Sequence, residues 1–157
     1  MTIKGIHHIA LHTRDLDRMA MFYRAAFGFE PAAVEYRWQD NPRIDQTIDV
    51  ADSAARSLMM AAGNVYVELF EFARPAPANT SPLRPSDRGY THFAVETDDL
   101  EEDYERLLKA GMTFPHAPTQ GANALYGRDP DGNIIEVKQA AAGRLLAMDS
   151  LPLLTST

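Results

Sequence analysis

The sequence predicts an α+β domain made of two copies of one unit, each a strand, a helix and then three strands. Two observations carry this. His8-Ile9-Ala10-Leu11 recurs as His92-Phe93-Ala94-Val95, and Asp15-Leu16 recurs as Asp99-Leu100 at the same separation of 84 residues. Each copy then runs into a helical stretch that stops at a glycine, Gly28 in the first and Gly111 in the second. Self-similarity over such a distance is the mark of a duplicated supersecondary unit.

The elements follow in order. Residues 5–13 alternate and are rich in Ile and Leu, which predicts a strand. Asp15 is placed as a helix N-cap, and residues 16–27 set Leu16, Met19, Phe22, Tyr23 and Phe27 at helical spacing as plain core. Residues 32–38 and 55–62 read as strands, with the polar stretch 39–53 between them holding a short helix. Gly63-Asn64 is a turn into a strand over 65–72. These elements make module one, 5–72. Residues 73–89 hold Pro75, Pro77, Pro82 and Pro85 and read as a linker. Module two, 90–138, repeats the order: a strand over 90–97, a helix over 99–110 capped by Asp98 or Asp99, strands near 112–116 and 120–128, the turn Asp129-Pro130-Asp131-Gly132, and a last strand over 133–138. A tail over 139–157 follows, helical over 140–148 and frayed beyond. Short turns between successive strands favour antiparallel neighbours, with the helices covering one face of the sheet and the other left free to curve.

Bulk properties narrow the function. A chain of 157 residues with 45% apolar and 24% charged residues suits one soluble globular domain. The formal charge of −7 argues against nucleic acid as a partner. No apolar run reaches membrane-spanning length, and the first residues lead straight into a strand without the apolar stretch of a signal peptide. The absence of cysteine excludes disulfides, thiolate metal sites and cysteine nucleophiles, and fits a cytoplasmic location.

Strand alternation then sorts the side chains. His8, Ala10 and His12 share one face of the first strand, and His92 and Ala94 take the equivalent places in the second copy. Glu68 and Glu136 lie in the closing strands of the two copies among aliphatic neighbours, where an unpaired carboxylate is costly. With both glutamates on the open face, a cavity of two His and two Glu is a site for one divalent metal, because two carboxylates balance a 2+ charge and neutral imidazoles add none. A lone strand histidine is more often packed or solvent-facing. That reading is kept for His7, on the helix side, for His116, and for His12, which lines the pocket without touching metal. Glu71 falls on the face opposite Glu68 and is read as solvated. The pocket walls are drawn from His12, Arg37, Trp38, Tyr66, Phe70 and Tyr126, with Arg37, Arg43 or Arg88 able to hold an anionic end of a substrate.

Taken together, His8 through Leu11, Asp15-Leu16, Phe22-Tyr23, the Glu68 strand, His92 through Asp99-Leu100 and Asp129 through Glu136 resemble the vicinal oxygen chelate superfamily, also called the glyoxalase/bleomycin-resistance/extradiol-dioxygenase family. The resemblance spans 5–138 and is closest to the glyoxalase I-like branch. It implies two βαβββ modules forming a curved, cup-like, mixed eight-stranded sheet with helices on the outer face. It also implies one divalent ion (Ni, Zn, Co, Mn or Fe) held by His8, Glu68, His92 and Glu136, a homodimer, and a small-molecule substrate that presents two adjacent oxygens. In such a lyase or isomerase, Glu136 takes a proton from carbon and Glu136 or Glu68 returns it. The alternatives are an iron(II) extradiol-type dioxygenase, an epimerase of a 2-substituted acyl thioester, and a non-catalytic drug-binding resistance protein.

Overall fold

The computed structural model of the chain describes residues 3, 5–78 and 81–140. The expected helical and frayed tail over 141–157 lies outside them. The described chain divides into two compact units, Gly5–Ser81 and the residues from Pro82 onward together with Ile3. Each is a mixed α+β body, as the sequence predicts, and the eight strands fall into two mixed sheets of five and three.

In the first unit, β1 (His8–His12) leads into α1 (Leu16–Phe27). The Asp15 carboxylate accepts the Arg18 amide at 3.0 Å, and Gly28, with φ 71°, closes the helix in the left-handed region that glycine reaches without strain. The apolar stripe buries Leu16, Met19, Phe22, Tyr23 and Ala26. Phe27 is only half-buried, and Phe29, just past the cap, completes the core with its ring 5.8 Å from that of Tyr23. Strands β2 (Glu30–Pro31) and β3 (Tyr36–Trp38) both pair with β4 (Ala54–Ala62), which runs antiparallel to β5 (Val65–Arg74). The first strand does not join its chain neighbour. It lies parallel to β5, giving the order β1-β5-β4-β2. The helix α1 makes that parallel crossover possible. Val67, Leu69 and Met60 are buried on the face that α1 covers.

The short helix expected in the polar stretch is α2 (Pro42–Ile48), capped by Asn41, whose side chain accepts from the Ile44 amide at 3.2 Å. Its Asp45 accepts the amides of Asp52 and Ser53 at 3.0 Å each and the Ser53 hydroxyl. That hydroxyl contact, together with those amides, holds the Asp45 carboxyl below its ordinary value.

The second unit repeats the plan with fewer strands. β6 (His92–Thr97) is followed by α3 (Leu100–Ala110), then β7 (Ala124–Arg128) and β8 (Ile134–Gln139), in the order β6-β8-β7 with β6 parallel to β8. Asp99, not Asp98, is the N-cap, accepting from the Glu101 and Glu102 amides at 3.0 Å, and Gly111 at φ 105° is the stop. The strand expected near 112–116 reduces to one bridge, Thr113 to Arg128. Pro115 and Pro118 remove backbone donors there, so a full ladder cannot form. The strand expected over 32–38 forms only at its end, as β3, and the short β2 precedes it at Glu30–Pro31 where none was expected, so the sheets hold five and three strands instead of four and four. In the turn before β8, Asp129 accepts the Asp131 and Asn133 amides at 3.0 and 2.9 Å, and burial pushes its carboxyl above the ordinary value. Among the described residues no helix is long and apolar enough to cross a membrane.

Glu71 departs from expectation. It does lie on the face opposite Glu68, but it is only partly solvated, with its side chain 30% exposed and its carboxylate engaged. Its Oε2 accepts the Leu16 amide at 2.7 Å, at the start of α1, and the Arg56 guanidinium at 2.8 Å, while Arg56 also reaches Asp17 at 3.0 Å. One carboxylate thus ties the first turn of α1 to β4 and β5, where the helix dipole also favours a negative charge. The Arg56 hydrogen bonds, opposed by burial and aided by the Leu16 amide, hold Glu71 below its ordinary value of 4.5.

Two predictions follow from this packing. A depressed carboxyl favours folding above its unfolded-state value and loses that contribution as pH falls through the folded one. Stability measured by urea should therefore decline as pH drops below about 4.5, and Glu71→Gln should be less stable at neutral pH and show a flatter acid limb. Gly127 is buried, and a Cβ there would stand 2.4 Å from Met112 Cε and 2.7 Å from Phe114 Cε1. Gly127→Ala should lose about 1–3 kcal/mol in urea titrations, the usual cost of overpacking.

Candidate functional site

Each unit builds the same pair of side chains by the same device. The parallel registers set Ala10 opposite Glu68 and Ala94 opposite Glu136. The histidine two residues earlier on the first strand shares that face. Because the residue facing the glutamate is only an alanine, the imidazole leans diagonally across to it. His8 Nε2 lies 3.5 Å from Glu68 Oε2, and His92 Nε2 lies 3.4 Å from Glu136 Oε2. The carboxylates are largely sheltered, with side chains 19% and 16% exposed.

The other ring nitrogen is held in both cases by the preceding residue. His7 Nδ1 is 2.9 Å from His8 Nδ1, and Thr91 Oγ1 is 3.0 Å from His92 Nδ1. Both histidines therefore turn Nε2 to the glutamate. Such an Nδ1 contact is the usual means by which a ligating histidine is oriented. His7 does not face the helix side as the sequence suggested. It precedes β1, and its ring stacks on Tyr66 at 5.1 Å.

The remaining residues singled out from sequence divide by face. Tyr66, Phe70 and Glu68 alternate on β5 and share the open side with His12, whose ring meets Phe72 edge-on at 5.6 Å. Trp38 packs edge-on against Phe70 and Phe72, at 6.0 and 5.8 Å, and its indole N–H donates to Ser53 Oγ at 2.8 Å, so it is a fixed, buried wall. Tyr126 sits directly across from Glu136, and its ring is edge-on to His92 at 4.9 Å. Arg37 pairs across from Arg56, on the face that carries Glu71, and its Nε reaches Glu35 at 2.6 Å. Arg43 is exposed on α2 and Arg88 is exposed ahead of β6.

Sequence reasoning missed His7 and Thr91, although the separation of 84 residues relates them as it relates the histidines. It also missed Thr13 and Thr97, another pair at that spacing. Their hydroxyls accept the Asp15 and Asp99 amides at 3.1 Å and shape the turn from strand to helix in each unit.

Whether the pairs suit a metal can be judged from their spacing. A direct imidazolium–carboxylate hydrogen bond would be about 2.7–2.9 Å. Two donors each about 2.1 Å from one tetrahedral ion are about 3.4 Å apart, which is the separation found twice. No Lys or Arg pairs with either carboxylate among the described residues, so each half-buried charge lacks a strong counterion. No group of three or more His, Asp or Glu that could hold a metal is gathered among the described residues. Each unit presents one His–Glu pair.

The model of the Glyoxalase/Bleomycin resistance protein/Dioxygenase superfamily matches residues 5–137. The chain belongs to that superfamily. A 2-epi-5-epi-valiolone epimerase from Actinomyces is 30% identical over 149 residues, covering 88% of this chain and 81% of the relative. Among solved structures, a glyoxalase family protein from Bacillus cereus superposes with a TM-score of 0.76 at 18% identity, covering 88% of this chain and 95% of that one. The trypanothione-dependent glyoxalase I of Leishmania major superposes with a TM-score of 0.57 at 20% identity and 84% coverage of both chains. Superfamily relatives thus include enzymes acting on small molecules.

The Nδ1 contacts are testable by long-range 1H–15N NMR of the histidine rings. Thr91→Val should alter the ring-nitrogen shifts of His92 and leave those of His8 in place, and His7→Phe should do the reverse. Unaltered His92 shifts in Thr91→Val would show that the hydroxyl does not hold that ring.

Proposed function

We propose that this superfamily member is a divalent-metal-dependent lyase or isomerase of the glyoxalase type, with His8, Glu68, His92 and Glu136 as the four protein ligands of one ion. The observation that carries the reading is the repeated His–Glu pair, with Nε2–Oε2 separations of 3.5 and 3.4 Å in the two units. A bound ion would supply Lewis acidity toward two adjacent oxygens of the substrate, making the C–H of the neighbouring carbon more acidic.

The residues then divide the work. His8 and His92 are oriented by His7 and Thr91 and offer Nε2 as donors. Glu136, sheltered on an interior strand, takes the proton from the carbon next to the carbonyl. The C–H electron pair becomes a carbon–carbon double bond while the carbonyl π pair moves to its oxygen, and the proton returns to carbon from Glu136 or Glu68. Return at the neighbouring carbon is isomerisation, and return at the same carbon from the other side is epimerisation. The 30% identical relative named as an epimerase favours the second form of this chemistry. Trp38, Phe70, Tyr66 and His12 offer a largely aromatic wall beside the first pair.

Chelator-stripped protein titrated with Ni(II), Zn(II), Co(II) or Mn(II) should take up one ion per chain, with at least tenfold weaker binding in His8→Ala or His92→Ala. In D2O the loaded protein should wash deuterium into the carbon beside the carbonyl of a small hydroxy ketone. Glu136→Gln should abolish that exchange while keeping much of the metal. Full exchange in Glu136→Gln would remove the proton role assigned to it. Oxygen uptake with a catechol on iron(II) would replace the reading with a ring-cleaving dioxygenase, and tight binding of a cationic drug by metal-free protein would replace it with a resistance protein.

A further inference from the structure

The repeat is broken at one position that bears on chemistry. In the first unit the β4 residue directly across from Glu68 is Met59. In the second unit the β7 residue directly across from Glu136 is Tyr126. A thioether offers only a weak acceptor there, whereas a phenol offers an O–H donor. The Tyr126 hydroxyl lies 3.5 Å from His92 Nε2, and that nitrogen is 3.4 Å from Glu136 Oε2, so the three polar groups surround one small space on the open face of the second unit. The ring is fixed edge-on against His92, at a centroid distance of 4.9 Å. At 3.5 Å the contact to nitrogen is at the outer limit of a hydrogen bond, and the O–H can turn to a nearer acceptor. Tyr126 is 41% exposed, so its hydroxyl remains open to an incoming molecule.

We infer that Tyr126 Oη donates a hydrogen bond to the substrate oxygen that gains negative charge when Glu136 removes the proton from carbon. This rests on the reading under Proposed function and extends it by naming which oxygen goes where. The electron pair of the broken C–H bond becomes the carbon–carbon double bond, the carbonyl π pair ends on the oxygen nearest Tyr126, the proton ends on Glu136, and the phenol keeps its own proton throughout. The oxygen that becomes anionic is therefore seated on the second unit. A donor already aimed at the place where charge develops stabilises the charged form more than the neutral one.

Two probes separate this from a general packing role. Acetohydroxamate is an anionic ligand with two adjacent oxygens, and hydroxyacetone is a neutral one. With Co(II)-loaded protein, Tyr126→Phe should weaken acetohydroxamate binding about tenfold or more, and hydroxyacetone binding by no more than about threefold. Co(II) uptake and the visible Co(II) spectrum of the probe-free protein should match wild type. Equal weakening of both probes, or weakening of neither, overturns the role given to Tyr126 and leaves the metal reading standing. Wild-type protein that takes up no Co(II), or takes it up without binding acetohydroxamate, overturns the metal reading and the inference with it.

Discussion

In each unit the first strand returns to lie parallel against the last, and the His–Glu pair depends on that pairing. The parallel register sets a small residue, Ala10 or Ala94, opposite the glutamate and leaves the histidine two places earlier to reach across. An antiparallel neighbour joined by a tight turn would have brought other residues together. The helix between the two strands gives the chain the length to cross over, and it covers the opposite face in doing so. Fold and donor pair are thus two results of one topological choice, made twice.

The two faces of the first sheet show how differently carboxylates can be managed. On the helix side, Glu71 is satisfied by Arg56 and the Leu16 amide, so its charge has a structural task and no chemical one. On the open side, the polar partner that Glu68 has among the described residues is an imidazole, at a separation too long for a strong hydrogen bond. The two residues are three apart on one strand and meet opposite surroundings because side chains alternate. Burial alone would not distinguish them; the kind of partner does.

Much of this was legible in the sequence. The repeated His-x-Ala pattern and the glutamates in the closing strands located both donor pairs, and Asp15, Asp99, Gly28 and Gly111 located the helix ends, because caps are short-range chemistry. What could not be read was set by contacts distant in sequence. Glu71 looked like a solvated strand residue because its partners, Arg56 and Leu16, are 15 and 55 residues away. The strand near 112–116 failed because Pro115 and Pro118 remove donors, a signal present in the sequence and outweighed there by the expectation of a complete repeat. His7 was assigned to the helix side by extending strand alternation one residue past the point where β1 begins.

Within its own sheet, each histidine stands on a strand with a single hydrogen-bonded neighbour, and each glutamate on a strand gripped from both sides. Opening a five-residue border strand costs far less than breaking an interior one. The two members of a pair are therefore not mechanical equals. The carboxylate is the anvil, anchored in the body of the sheet, whereas the imidazole keeps its place only as long as its border strand holds to the one neighbour that carries the glutamate.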